Sequence, residues 1–217
     1  MTTGVKKVGV IIPTYKRPDL LRQAVLQWIV QTVKPDVLCI NQNGSEESYE
    51  WVVDDLKPLI NIKWIHVSTS IKQHLWYAIP LVKLIEEQCD VILWADHDDI
   101  YLRNHVERKL AALENHDITF SEVSGILLVK PSSYKYHPPQ KFTAHALGGM
   151  TSSTAFNRNF AATLLLDLVL DTKSYYSDHV LAFTTVPKYK KNITQDITTV
   201  YVSHEGSHSS SHWVKNI

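Results

Sequence analysis

The 217-residue sequence predicts an α/β fold with a mostly parallel central sheet flanked by helices. Two observations lead there. Strand-like and helix-like stretches alternate through the first half, the pattern of parallel strands joined by right-handed helical crossovers. The strand run "VILWA" is continuously apolar, as a strand covered on both faces is.

The elements follow in order. "KVGVIIP" (Lys7–Pro13) is β-branched and ends in proline, which predicts a strand running into a loop. From Pro18 to Val33, Leu21, Ala24, Val25, Trp28, Ile29 and Val33 recur at three and four, one face of a helix with Pro18 in its first turn. "DVLCI" (Asp36–Ile40) predicts a second strand closed by the turn signal "NQNGS", and "IKWIHV" (Ile62–Val67) a third. A helical stretch from about Lys72 to Gln88 carries Pro80 inside it, which predicts a kink or two short helices. After "VILWA" a helix is expected over Asn104–Asn115 with Val106, Leu110 and Leu113 inward. The second half is less regular. "GILLV" (Gly125–Val129) reads as a strand, and "SSYKYHPPQKFTAHALGGM" as an irregular stretch. Asn157–Leu170 reads as an apolar helix capped by Asn157, and "DITTVYV" (Asp196–Val202) as the last strand. With no internal repeat and no linker, residues 1–217 read as one domain. Its nucleotide-binding half spans about 1–103 and its acceptor-binding half about 104–217.

Composition excludes several function classes. Lys plus Arg and Asp plus Glu balance at 22 each, so no global attraction draws the chain to nucleic acid or to an anionic membrane surface. No apolar run approaches the ~18 residues of a membrane span, and the early first strand leaves no room for a signal peptide. Cys39 and Cys89 lie in apolar contexts and read as buried thiols, which points to a cytoplasm. For a viral protein that is the host cytoplasm.

The chemistry concentrates in "DVILWADHDDIY" (Asp90–Tyr101), where an apolar strand runs into Asp96, Asp98 and Asp99. Carboxylates about 5 Å apart repel by roughly 3 kcal/mol per pair at an effective dielectric near 20. In open parallel sheets, ligands bind at the carboxyl ends of strands. Grouped hard oxygen donors there favour Mg²⁺ or Mn²⁺, which keep open positions for substrate phosphates. The bland alternative is an acidic turn capping the next helix, and Asp99 fits either role. His97 should point away from its acidic neighbours and reads as structural.

Five stretches in this order resemble the GT-A glycosyltransferases, specifically inverting family 2-like enzymes. They are "VIIPTYKRPDLLRQAV", "VLCINQNGSEES", "VILWADHDDIYLRNHVERKL", "YYSDHVLAF" and "YVSHEGSHSS". The chain as a whole also resembles the capsid-glycosylating enzymes of large algal viruses, which makes it one domain of a longer polypeptide. The resemblance implies a GT-A (nucleotide-diphospho-sugar transferase) fold. It implies a metal-dependent transfer of a hexose from a UDP-sugar (UDP-hexose or UDP-deoxyhexose) to a glycan acceptor, protein-linked or not. Pro13, Thr14 and Tyr15 then form the base pocket, with Arg17 and Lys72 near base and phosphates. Asp96 approaches ribose or metal, Asp98 is the principal ligand of Mn²⁺ or Mg²⁺, and His204 is a third contact. Asp178 is the general base. Where the family commonly has Asp before "N-G-S", this chain has Gln42, whose carbonyl can accept the uracil N3–H without charge assistance. Gly148 and Gly149 in "HALGGM" let backbone approach donor or acceptor.

Three other readings compete. A nucleotide-sugar-binding module without turnover shares every feature above. "HEGSH" (His204–His208) matches a zinc-hydrolase pattern that works only on a helix, and Gly206 and the surrounding serines disfavour one. Aspartate-based phosphatases place D-x-D after an early strand followed by Thr or Val, whereas here Asp99 follows at mid-chain.

Overall fold

Strand β1 (Val8–Thr14) divides the core in two. Its alternate residues Val8, Val10 and Ile12 face one side, where they meet Leu21, Val25 and Trp28 of helix α1 (Pro18–Ile29). Ile11 faces the other side, toward the helices described next, because successive strand side chains alternate between faces. The computed structural model describes residues 5–121, 125–130, 133–137, 151–171, 177 and 180–204.

β2 (Val37–Asn43) pairs parallel with β1, and β3 (Asn61–Val67) parallel with β2; a 3-10 turn, Glu50–Leu56, lies between them. Helix α2 (Leu75–Glu86) leads to β4 (Val91–Trp94), parallel to β1 on its other side. Short β5 (Ile100–Tyr101), helix α3 (His105–Ala112) and β6 (Ile118–Ser121) follow. Next come β7 (Gly125–Lys130) and β8 (Ser133–His137), a 3-10 turn at Thr151–Ser153, β9 (Ala155–Asn157) and helix α4 (Arg158–Leu170). A π-helical turn (Val180–Thr185), β10 (Lys191–Thr194) and β11 (Thr199–His204) complete the described chain.

Seven strands form the main sheet in the order β10-β6-β9-β4-β1-β2-β3, parallel except for β9, which runs against β4 and β6. The second half of the chain thus extends the sheet of the first. Four strands, β5-β11-β7-β8, form a smaller second sheet. α2 and α4 cover one face of the main sheet with Leu81, Leu84, Phe160 and Leu164, packed on Ile11, Ile92 and Trp94. Burying side chains of this size stabilises by about 1.5–3 kcal/mol each. Gly9 lets α2 come close: a Cβ there would lie 2.8 Å from a Leu84 methyl carbon and 2.9 Å from Cys89 Sγ.

The expected helices and strands are present, with instructive differences. α1 stops at Ile29, one turn before Val33. α4 is capped as expected, Asn157 Oδ1 accepting the Phe160 N–H at 2.9 Å. α2 remains a single helix despite Pro80. A proline deprives the carbonyl four residues earlier of its donor, and that carbonyl, Trp76 O, accepts instead from Asn41 Nδ2 at 2.8 Å. The last strand is shifted to Thr199–His204, and part of the stretch expected to be irregular forms β8. His145–Met150 lies outside the described residues. β9 and β10 are too short for a periodic signal and were not expected from sequence. Cys39 and Cys89 are buried and free. Burial pushes their thiols up to about 12 and about 11, so both stay protonated. Among the described residues no helix is long and apolar enough to cross a membrane.

Candidate active site

The carboxyl ends of β1, β2 and β4 meet at one edge of the sheet, and the acidic turn 96–99 follows β4 there. His97 ties this turn to β1 through Nδ1 and Pro13 O, 3.1 Å apart. Burial lowers the pKa of His97 against the opposing pull of Asp98 and Asp96, which favours a neutral ring. A neutral ring donating to Pro13 O leaves Nε2 as a bare acceptor, and this buried atom has no partner among the described residues.

The three carboxylates have different surroundings. Asp98 pairs with Arg17, Nη1 to Oδ2 2.9 Å, and Arg17 immediately precedes α1. Asp96 accepts from Tyr77 Oη at 2.6 Å and from Ser152 Oγ at 3.0 Å. Its backbone is clamped as well: Asp96 N–H donates to Tyr101 Oη at 2.7 Å, and Tyr101 Oη lies 3.0 Å from Asp96 O. Asp99 is buried, bonded to Ser152 Oγ and accepting the Val202 N–H at 2.9 Å. The capping role expected for Asp99 is not what this geometry displays. The N-cap of helix α3, Asn104, receives no side-chain cap, and Asp99 instead joins the acidic turn to the second sheet.

One hydroxyl proton on Ser152 cannot serve two carboxylates. Burial, reinforced by Asp96 and Asp98, holds Asp99 well above the usual carboxylate range. A proton kept on Asp99 and donated to Ser152 lets Ser152 donate in turn to Asp96. The turn carrying Ser152 is itself held from behind. Thr199 Oγ1 donates to Ser152 O at 3.1 Å, the buried Lys109 Nζ donates to Ser153 O, and Trp94 N–H donates to Thr154 O at 3.0 Å.

The base-pocket residues occupy the next corner. Thr14 is buried with its hydroxyl 2.9 Å from Tyr49 Oη, while Tyr15 is 40% exposed. Lys16 has a left-handed φ of 53°, uncommon for a side chain with a Cβ. Lys72 is exposed in the turn entering α2. Gln42 is tied to its own loop. It is 0% exposed, its Oε1 accepts the Tyr49 N–H at 3.0 Å, and its Nε2 donates to Glu47 O at 2.7 Å. An amide can both accept and donate, so Gln42 closes the 42–49 loop in a way a carboxylate cannot. In this structure both ends of the amide face the loop.

Hard oxygens from Asp96 and Asp98 are the donor type that Mg²⁺ and Mn²⁺ take when one or two carboxylates and substrate phosphates complete the shell. The donor chemistry therefore fits such an ion. Among the described residues no group of three His, Cys, Asp or Glu side chains is arranged to hold a metal. His204 ends strand β11, which contradicts the helix that the zinc-hydrolase pattern requires. Asp178 and His208 lie outside the described residues. A cleft of about 370 Å³ opens at the opposite, amino-terminal end of β1 and β4, lined by Lys6, Asp90, His116 and Lys190 among others. It contains none of the candidate residues.

Sequence reasoning missed Tyr77, Tyr101, Ser152 and Trp76. A tyrosine on the apolar face of α2 was the available signal for Tyr77, since a buried hydroxyl needs a partner. Nothing in "TSST" marked Ser152.

A mostly parallel sheet, one reversed strand beside β4, and an acidic turn at the carboxyl end of β4 define the GT-A class. The chain belongs to glycosyl transferase family 2, whose model matches residues 9–167. Solved structures agree on the fold. S. aureus TarS superposes with a TM-score of 0.68 at 12% identity, over 91% of this chain and 37% of TarS. TarS 1–349 in complex with UDP-GlcNAc gives 0.67 at 14%, over 95% and 61%. The mannosyltransferase PcManGT from Pyrobaculum calidifontis, in complex with GDP-Man and Mn²⁺, gives 0.63 at 14%, over 97% and 60%. The chain therefore spans less than two thirds of the length of these proteins. No curated protein matches it in sequence.

Proposed function

We propose that the chain is a metal-dependent, inverting glycosyltransferase that moves a hexose or deoxyhexose from a UDP-sugar to a glycan, free or protein-linked. The observation that carries this reading is the acidic turn: Asp98 paired with Arg17, and Asp96 oriented by Tyr77 and Ser152, at the ligand-binding end of the sheet. Family membership supports the reaction type, and neighbours in complex with UDP-GlcNAc, UDP, and GDP-Man with Mn²⁺ support the donor class. The preference for UDP rests on the resemblance of the base-pocket segment Pro13–Tyr15 and on Gln42, whose carbonyl oxygen can accept the uracil N3–H. Kinship with capsid-glycosylating enzymes of large algal viruses belongs to the same proposal, with a protein-linked acceptor and further domains. The free, buried Cys39 and Cys89 support a reducing compartment, the host cytoplasm for a viral protein.

In this mechanism Tyr15 flanks the base, and Arg17 and Lys72 bring positive charge to the diphosphate. Asp96 and Asp98 would hold Mn²⁺ or Mg²⁺, with His204 as a third contact. An ion held there would supply positive charge to offset that building on the departing phosphate oxygen. Asp178 takes the proton of the attacking hydroxyl. A single displacement through an oxocarbenium-like transition state inverts the anomeric centre.

The test has a binding arm and a turnover arm. UDP-sugars with Mn²⁺ should raise the unfolding temperature, and EDTA should abolish the effect. Asp178→Asn should leave donor binding intact and lower transfer by roughly 10²–10⁴-fold. Protection undiminished by EDTA sinks the metal assignment, and a retained anomer by NMR sinks the mechanism. Donor binding without transfer to any glycan leaves a binding module.

A further inference from the structure

Tyr15 and Trp76 stand across the carboxyl ends of β1 and β2 with ring centroids 6.4 Å apart and planes 19° from parallel. Every other ring pair among the described residues is closer, 5.9 Å or less, and more steeply inclined, 38° or more. Packed aromatic carbons sit about 3.5–4 Å apart, so a flat ring between two others needs about 7 Å. The Tyr15–Trp76 centroid separation falls just short of that, and the near-parallel planes are the orientation a slot needs.

The two walls differ in rigidity. Trp76 is fastened at both ends: its Nε1–H donates to Ile71 O at 3.1 Å, and its carbonyl accepts from Asn41. Tyr15 lies on the β1–α1 loop, 40% exposed, next to the left-handed Lys16. Gly44, at φ 63°, keeps space beside it, since a Cβ there would lie 2.9 Å from Tyr15 Cε2. The same corner holds unmet acceptors. The side-chain oxygens of Asn41, Asn43 and Gln73 are buried and find no hydrogen-bond partner among the described residues. Buried acceptors in native proteins nearly always find a donor.

We infer that Trp76 is the second wall of a nucleobase slot, in which the base of a nucleoside diphosphate stacks between Tyr15 and Trp76. The base carries the N–H donors that the amide oxygens of this corner lack. A small outward movement of Tyr15 admits it, while Trp76 stays in place. The inference rests on the donor site proposed above and adds to it a residue and a mode of base recognition.

The experiment uses the whole chain labelled with 5-fluorotryptophan, titrated with UDP and separately with inorganic pyrophosphate, both with Mg²⁺. UDP should shift the ¹⁹F resonance that Trp76→Phe removes, and pyrophosphate should not. Trp76→Leu should weaken UDP about tenfold or more, the lower end of what base–aromatic stacking contributes, and leave pyrophosphate within twofold. Trp76→Phe should recover most of the UDP affinity. The labelled native chain keeps the test valid if Trp76→Leu does not fold. If the native chain binds UDP while the Trp76 resonance stays put, or Trp76→Leu binds UDP normally, this inference alone is overturned. A native chain that binds neither UDP nor pyrophosphate overturns the donor site and the slot together.

Discussion

Tyr77→Phe removes a single oxygen and tests whether Asp96 is oriented for work. Tyr77 Oη donates to Asp96 Oδ1 at 2.6 Å, while the Tyr77 ring packs on Trp94 with centroids 4.4 Å apart. Phenylalanine keeps the ring contact and deletes only the donor. Hydrogen bonds to charged groups contribute about 1.5–3 kcal/mol. Asp96 is half-buried, so water can take part of the vacated place, and the lower end applies. A loss of about 1.4 kcal/mol is tenfold in affinity. Calorimetric titration of UDP with Mg²⁺ should therefore show roughly tenfold weaker binding in Tyr77→Phe. Ser152→Ala, acting on Oδ2 of the same carboxylate, should weaken binding similarly. The double variant should depart from additivity, because both act on one group. UDP binding within twofold of the native chain in both single variants would refute the orienting role.

Two further outcomes test the fold around the site. Burial lowers the pKa of Lys109 from 10.5 to about 7. Between those values the unfolded chain holds a proton that the folded chain has released, so stability rises with pH through that window. Relative to Lys109→Met, the native chain should gain about 2 kcal/mol from pH 7 to pH 9 in urea denaturation; parallel curves would exclude the shift. Gly9→Ala drives a Cβ against Leu84 and Cys89 and should cost about 1–3 kcal/mol in the same measurement. An unchanged midpoint would show that α2 can retreat freely from β1.

The parts of the fold that were legible in the sequence are those with a repeating physical signal. α1, α3 and α4 carry apolar faces at helical spacing, and β1, β2 and β4 carry buried runs. β9 and β10, at three and four residues, are defined by their neighbours, Asn157 against Val91 and Lys191 against Ile118, and no local pattern announces such pairing. In the site, the carboxylates stood out because like charges in a row demand a reason. Their partners did not, since Ser152 and Tyr77 lie 56 and 19 residues from Asp96 and are ordinary residues where they occur. The loop contacts of Gln42 were hidden for a related reason: motif position points to a ligand, and nothing local announces that the amide also donates to its own loop.

The carbonyl of Trp76 links two positions that are far apart in sequence. Pro80 withholds a donor from that oxygen, and Asn41 supplies one from the neighbouring strand. Positions 41 and 80 are therefore epistatic, and the order of change matters. Were position 80 to acquire an N–H first, the helix would repair its own rung and release Asn41 to drift. Losing Asn41 first would strand a carbonyl beneath the tryptophan and penalise every later step. Descendants of this chain have an asymmetric path open to them, with proline the residue that can be surrendered first.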